Sequence, residues 1–239
     1  MEFFGGTAQW KHVLITGAAD DNLDWTDGWQ GKGQFLIVQQ YADKGDNGIE
    51  ADNNAENNEA SPRSYPILSN LTLIGVPSSE NSDAGILLRE GTAANISNAV
   101  VIGWNEECVD VDHASTFALA KDGDGPTGDL VIDHSVLSCA KTFAMNDEKD
   151  ANDQAVTDPW SIETFFLSEL DANTVVADTA ATLMDPFNTS ALDLLPKAGS
   201  AAAAGAAIPN DPFFTVVTYK GGIGPDDDWT AGWTTNARN

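Results

Sequence analysis

Four times along the chain an acid stands three positions before an apolar residue, in the sets Asp20…Leu23, Asp46…Ile49, Asp83…Ile86 and Glu106…Val109. In three of them a second acid follows directly, as Asp24, Glu50 and Asp110, whereas Ile86 is followed by Leu87. Carboxylates repeated at matched offsets can ligate a cation or serve as general acid and base, provided that the chain brings the sets together. The steps from Leu23 to Ile49, Ile86 and Val109 are 26, 37 and 23 residues, which suits one set per coil of a solenoid. Stacked in that way, like-placed acids lie about 4.8 Å apart. Calcium holds oxygens at about 2.3 to 2.6 Å, so ligands on opposite sides of one ion are separated by a similar distance. Without a cation, carboxylates about 5 Å apart repel by about 3 kcal/mol at an effective dielectric of about 20. Asp20, Asp24, Asp46, Glu50 and Asp110 are therefore candidate calcium ligands.

Two further patterns carry chemistry. Asp122-Gly123-Asp124-Gly125 with Asp129 is similar to the alternating Asp loops that wrap calcium, without the later Glu of an EF-hand, and a solvated turn is the alternative. Asp24-Trp25-Thr26-Asp27-Gly28-Trp29 recurs near the other end as Asp228-Trp229-Thr230-Ala231-Gly232-Trp233. Trp25, Trp29, Trp229 and Trp233 could stack on sugar rings beside acids that accept hydroxyl hydrogen bonds, or simply pack a corner.

An enzyme is the second reading. Polyuronate lyases need calcium and a Lys or Arg to take a proton, and glycoside hydrolases need two facing carboxylates. Between residues 33 and 148 the basic residues are Lys44, Arg63, Arg89, Lys121 and Lys141. Acid pairs such as Asp20 with Asp24, or Asp110 with Asp112 beside His113, suit a hydrolase, but acids are too abundant for that pairing to be specific. His12, His113 and His134 are too scattered for a zinc site.

The elements that must position these residues are short. Before each acid set lies an apolar run: Val13-Leu14-Ile15, Phe35-Leu36-Ile37-Val38, Leu71-Thr72-Leu73-Ile74 and Ala99-Val100-Val101-Ile102. Leu130-Val131-Ile132 is a fifth, followed by a weaker candidate at Thr142-Phe143-Ala144-Met145. Runs of this length, rich in β-branched residues and bounded by Gly, Asn or Asp, are strands. Asn70 and Asn98 stand at equal offsets before two of the runs and suit left-handed corners. The expected fold is an all-β solenoid, a right-handed parallel β-helix, over residues 1–157. Outward neighbours of inward apolar residues then place Asp24, Glu50 and Asp110 on the surface. Cys108 and Cys139, 31 residues apart at comparable points of successive coils, suit a disulfide, with two reduced buried thiols as the alternative.

The chain resembles bacterial secreted and cell-surface proteins of the pectin-lyase-like β-helix type. The likeness lies in Glu2-Phe3-Phe4-Gly5-Gly6-Thr7 running into Asp20 to Trp29, and in the segment from Leu195-Pro196-Lys197-Ala198-Gly199-Ser200 to Trp233. That second segment is similar to the closing region of uncharacterised outer-membrane and secreted proteins, often lipoproteins. The resemblance implies architecture and an extracellular or bacterial cell-surface setting far more than it implies an activity.

Residues 158–239 change character. Asp158 is expected to cap a helix with Pro159 at its first position and Ile162, Phe165, Phe166 and Leu170 on one face. A second amphipathic stretch from Asn173 to about Leu195 is expected to be helical, followed by an exposed Ala-rich connection and a strand over Phe213–Tyr219. These segments should pack on the side or end of the solenoid. The polar insertion at residues 52–66 should project as a loop.

With 37 acidic against 11 basic residues among 239, the net charge is −26, which argues against nucleic acid and anionic membrane as partners. A cation or a saline medium suits that charge, and no stretch is apolar enough to span a bilayer. Glu2-Phe3-Phe4 reads as the end of a preceding coil, so upstream coils are expected to be missing, and self-association through an uncapped first coil is a possible outcome. Together these readings give a calcium-binding structural, adhesive or glycan-binding module; the alternatives are a polysaccharide lyase or glycoside hydrolase and an end-to-end filament subunit.

Overall fold

The computed structural model describes residues 1–122, 125–144 and 156–235, and its chain winds as a parallel β-helix. One sheet stacks β1 (Glu2–Phe4), β3 (Leu23–Thr26), β5 (Ile49–Ala51), β7 (Ile86–Leu88), β9 (Glu107–Val111) and β14 (Lys141–Phe143), all parallel. The other stacks β2 (Gln9–Thr16), β4 (Lys32–Gln39), β6 (Ile67–Ile74) and β8 (Ala94–Ile102). After β9 the chain forms α1 (Ala114–Ala120) and the short antiparallel pair β10 (Lys121–Asp122) and β11 (Gly125–Pro126), and on β8 then lie β12 (Leu130–Asp133) and β13 (Val136–Ser138).

The longer strands bend in the middle. His12, Phe35, Asn70, Asn98 and His134 each take a left-handed backbone with φ between 46° and 61°, and the flanking registers stack them into one column. Asn accepts that conformation at low cost, as the sequence indicates at Asn70 and Asn98, while Phe35 is buried and the exposed His12 stacks on its ring. Each long strand is thus two arms, and the coil has three faces.

Alternation then sorts the side chains. Leu23, Trp25, Ile49, Ala51, Ile86, Leu88, Val109 and Val111 point inward from the short strands to meet Leu36, Val38, Leu71, Leu73, Ala99 and Val101 in one buried core. The same alternation turns Glu2, Asp24, Glu50, Leu87 and Asp110 outward as one register column. A disulfide joins Cys108 to Cys139, whose Cα atoms are 5.4 Å apart. Cys139 approaches from the corner, since Lys141 is the residue that stacks on Glu107.

The C-terminal part departs from expectation. Ser161, not Asp158, caps α2 (Ile162–Thr164), accepting from the Thr164 amide; a wider π-type turn follows at Phe165–Glu169. Ile162, Phe165 and Phe166 are nonetheless buried and Leu170 packs against them, so the expected apolar face exists. Asn173 to Leu195 is not a helix. Thr174–Val175 adds a strand beside β13, Thr179–Ala181 is a 3-10 turn, and Leu183–Asp185 pairs antiparallel with Asp193–Pro196. Strand pairing wins here because the outer face of the second arm is itself apolar: Leu14, Ile37, Val100 and Val136 join Leu183, Leu194, Ala202 and Ile223 in a second cluster. The Ala-rich tract lies partly against the solenoid, with Ala202 buried, and is not a free connection.

Phe213–Tyr219 forms no ladder among the described residues. Its backbone is held by side chains instead: Gln34 accepts from the Thr215 amide and donates to its carbonyl, and Asn70 donates to the Tyr219 carbonyl. The insertion at residues 52–66 is stapled from within by Asn53, which donates to the Asn58 and Ala60 carbonyls and accepts from Ser64.

Candidate metal centre and acidic face

The corner that leads into the short strands carries the closest group of acids. Asp20, Asp21 and Asp46 each offer a carboxylate oxygen, and these oxygens lie within 4.8 Å of one another. Asp20 and Asp46 occupy equal offsets on adjacent coils, as the spacing requires. Asp21 is the member the repeat does not reveal. Its oxygen accepts from both the backbone and the side-chain amide of Asn47, at 2.9 Å each. Asn47 belongs to a buried frame in which Asn22 donates to Gln40 at 2.7 Å and to the Asn47 carbonyl at 3.0 Å. The Asn22 Oδ1 in that frame is buried and has no hydrogen-bond partner among the described residues.

Oxygens on a calcium ion stand at most about 5 Å apart, so this trio fits one. Burial raises the Asp21 carboxyl above its ordinary value, with the Asp20 charge adding to the effect and the Asn47 hydrogen bonds opposing it. Burial also raises Asp46, followed by the charges of Asp21, Asp83 and Asp20. An oxygen-only donor set that is hard to ionise together suits a hard divalent cation.

Beside the trio runs the outward column of the short-strand sheet. Asp24 and Glu50 are half-buried, and burial leads in raising both. Asp24 reaches about 7, with a hydrogen bond to Glu2 and the charges of Glu2, Asp21 and Asp52 adding to the shift. Glu50 reaches about 8, where the Asp21 charge adds and Arg89 opposes without cancelling. Arg89 donates to both oxygens of Asp52, at 2.9 and 3.2 Å, and stands 2.8 Å from Glu50. Burial works against its charge, but Asp52 and Glu50 outweigh burial and hold the guanidinium protonated.

Of the acids named from sequence, Asp20 and Asp46 come together, with Asp24 and Glu50 in the adjoining column. Asp110 ends the column, separated from Glu50 by Leu87. Asp129 is elsewhere: it precedes β12, where its backbone meets Ala94 and its side chain meets Tyr65. Asp124 lies outside the described residues, as does the Asp122 side chain.

The tryptophans divide. Trp25 and Trp29 are 0% exposed. They stack within the first coils, Trp29 on Phe3 at 4.3 Å and near Trp25 at 5.6 Å, with the Trp25 indole donating to Thr92. No ring face is open to a sugar at either position, so glycan stacking is excluded for both: the alternation that sends Asp24 outward sends Trp25 inward. Trp229 lies against His12 and donates to Gly222, whereas Trp233 is 64% exposed with its ring 6.0 Å from that of Trp229.

Residues 1–234 match the model of a family described as a pectate-lyase-like beta helix domain. No curated protein and no solved structure matches the chain. No described helix is long and apolar enough to cross a membrane.

Proposed function

Because the chain belongs to the pectate-lyase-like β-helix family, we propose that it is a calcium-binding carbohydrate-recognition module, structural or adhesive in role, working outside the cytoplasm or at a bacterial cell surface. The observation that carries this reading is the Asp20, Asp21 and Asp46 trio, with its oxygens within 4.8 Å of one another. A bound cation would relieve the repulsion among these carboxylates and offer an anionic glycan a positive anchor. Otherwise a chain of charge −26 repels such a polymer. The Cys108–Cys139 disulfide supports an oxidising compartment. Calorimetric titration of the metal-free chain with calcium, followed by polygalacturonate binding in calcium and in EDTA, tests the proposal. Heat of calcium uptake and EDTA-sensitive polymer binding are expected, and their absence defeats it.

A second reading, a polysaccharide-degrading enzyme, is favoured by Arg89, a cation placed among Glu50, Asp52 and Asp24 on one face. Its neighbours hold it protonated, which suits charge stabilisation and not proton abstraction. Incubation with polyuronates and neutral glycans, with chain length followed over time, separates the readings: binding without shortening is the module, shortening is the enzyme.

A further inference from the structure

Next to the acidic corner, and sharing Gln40 with its buried amide frame, a cavity of about 350 Å3 opens between the solenoid and the C-terminal hairpin. Its wall includes Gln39, Tyr41, Ile74, Val76, Pro77 and Phe187, and none of the residues lining it is charged. In a chain with 37 acids that neutrality is a strong contrast.

The cavity is built from the coil register. Gly17, Gly75 and Gly103 follow the second arms of successive coils, with Gln40 in the same column between the first two. A Cβ on Gly17 would stand 2.4 Å from the Tyr41 ring, and one on Gly103 would stand 2.4 Å from the Phe187 ring. Each aromatic is therefore seated flush on a glycine, one near each end of the opening, with Gly75 and Ile74 between them.

Gln39 supplies the polar group. It shares an outward column with Ile74 and Ile102, is only 4% exposed, and lines the cavity. Its side-chain amide bonds to no other described residue and its polar atoms are not themselves buried, so it is open to whatever occupies the cavity. By contrast its neighbour Gln40 is fully engaged, with Lys44, Asn81 and Asn22. An amide both donates and accepts, which matches adjacent hydroxyls on a ring, and the two aromatic rings with Pro77 and Val76 match the apolar face of that ring. Small-molecule sites start at about 300 Å3, so the occupant is small.

We propose that this cavity binds a neutral pyranose sugar, through Gln39 and the Tyr41 and Phe187 rings, independently of any cation at the acidic face. A uronate is excluded by chemistry, since no cationic side chain lines the cavity to meet its carboxylate.

The test is saturation-transfer NMR and calorimetry on the full chain in EDTA, with D-galactose, D-glucose, D-mannose and L-rhamnose as probes and D-galacturonate as the charged control. At least one neutral sugar should bind. Gln39→Ala and Phe187→Ala should each weaken it by about tenfold or more, corresponding to about 1.4 kcal/mol, and Asp129→Asn, at a position away from the cavity beside Tyr65, should not change it. Galacturonate should bind more weakly than galactose. Phe187 is partly exposed, so its variant checks the site even if Gln39→Ala fails to fold. Absence of binding by every neutral sugar, unchanged binding in the variants, or preference for galacturonate overturns the proposal. Because calcium is absent throughout, failure here is distinct from failure at the acidic face.

Discussion

Asp24 and Glu50 are register partners on adjacent parallel strands, and both face outward from the same sheet. Their shared environment raises Asp24 to about 7 and Glu50 to about 8. At pH 8 in EDTA the Asp24 carboxylate is therefore charged against Glu2, Asp21 and Asp52. Asp24→Asn keeps the shape, can still donate to Glu2, and removes the repulsion. Its melting temperature in EDTA at pH 8 should exceed that of the parent by about 2 to 4 °C, the equivalent of about 1 kcal/mol in a chain of this size. At pH 5, where Asp24 is already neutral, the two should melt together. A lower melting temperature for the variant at pH 8 would show that the charge is held by an attraction absent from this account.

The same shifts set a pH dependence for the metal-free chain. A carboxyl raised in the folded state contributes stability that is complete below its unfolded value and lost as pH climbs to its folded value. For Asp24 and Glu50 that window runs from their ordinary range, about 4, up to about 7 and 8. Stability in EDTA should fall across this interval. Calcium requires ionised ligands, and burial raises Asp21 and Asp46 above the ordinary carboxyl value, so its stabilising effect should grow as pH rises. At a hundredfold excess over its dissociation constant it should add about 2.7 kcal/mol near pH 8, and less at pH 5. Thermal melts at both pH values, with and without calcium, check the sign. Equal calcium effects at the two values would remove the acidic corner as the binding site.

Asp46 is the cleanest ligand to remove, because Asp21 also bonds Asn47 and holds the corner together. Asp46→Asn should weaken calcium uptake by about tenfold or more, a loss of about 1.4 kcal/mol, while Asp129→Asn should leave it unchanged. Calorimetry on both variants decides between the corner trio and the loop near residue 129. The reverse pattern would move the site to that loop.

How far the sequence reveals these features depends on which interaction sets them. The acid columns follow from period and alternation alone, and even the gap at Leu87 lies where the third set lacks its second acid. Asp21 escapes that reasoning because its offset is not acidic in the next two coils, which read Asn47 and Ala84, and returns to an acid only at Glu107. What fixes Asp21 is a cross-coil bond to Asn47, which periodicity does not register. The burial of Trp25 was legible, since a residue two positions beyond inward Leu23 points inward too; the likeness of its surrounding motif to Trp229 and Trp233 obscured this. Taken alone, the segment from Asn173 to Leu195 has the apolar spacing of a helix, and nothing within it announces the strand pair Leu183–Asp185 and Asp193–Pro196. The relevant signal lay in the solenoid strands, whose unbroken apolar runs such as Val13-Leu14-Ile15 call for burial on both faces.

Reduction of the Cys108–Cys139 bond should destabilise the last coils. Chain-entropy reasoning for a span of 31 residues gives about 3 to 4 kcal/mol, hence a melting temperature lower by about 6 to 16 °C. Melting of the Cys108→Ser, Cys139→Ser double variant against the oxidised parent measures this. A change near zero would show that the last coils are held by Phe165 and Phe166 beneath them, not by the covalent link.

Asn98 does two separable things, and a pair of variants distinguishes them. Its φ of 59° suits Asn or Gly. Its side chain donates to the Ser69 hydroxyl and the Ala207 carbonyl and accepts from the Ala207 amide, tying the C-terminal segment to the corner. Asn98→Gly keeps the backbone and loses the tether, which at about 0.5 to 1.5 kcal/mol per hydrogen bond should cost about 2 to 4 kcal/mol. Asn98→Ala loses the tether and adds left-handed strain, so it should be less stable than the glycine variant by about 1 kcal/mol. Both should expose the segment beyond Ala207 to limited chymotrypsin digestion at Phe213, Phe214 and Tyr219. Equal stability of the two variants would mean that the corner relaxes its backbone, and unchanged digestion would mean that the apolar contacts of Ala202 and Ile223 hold the segment without the amide.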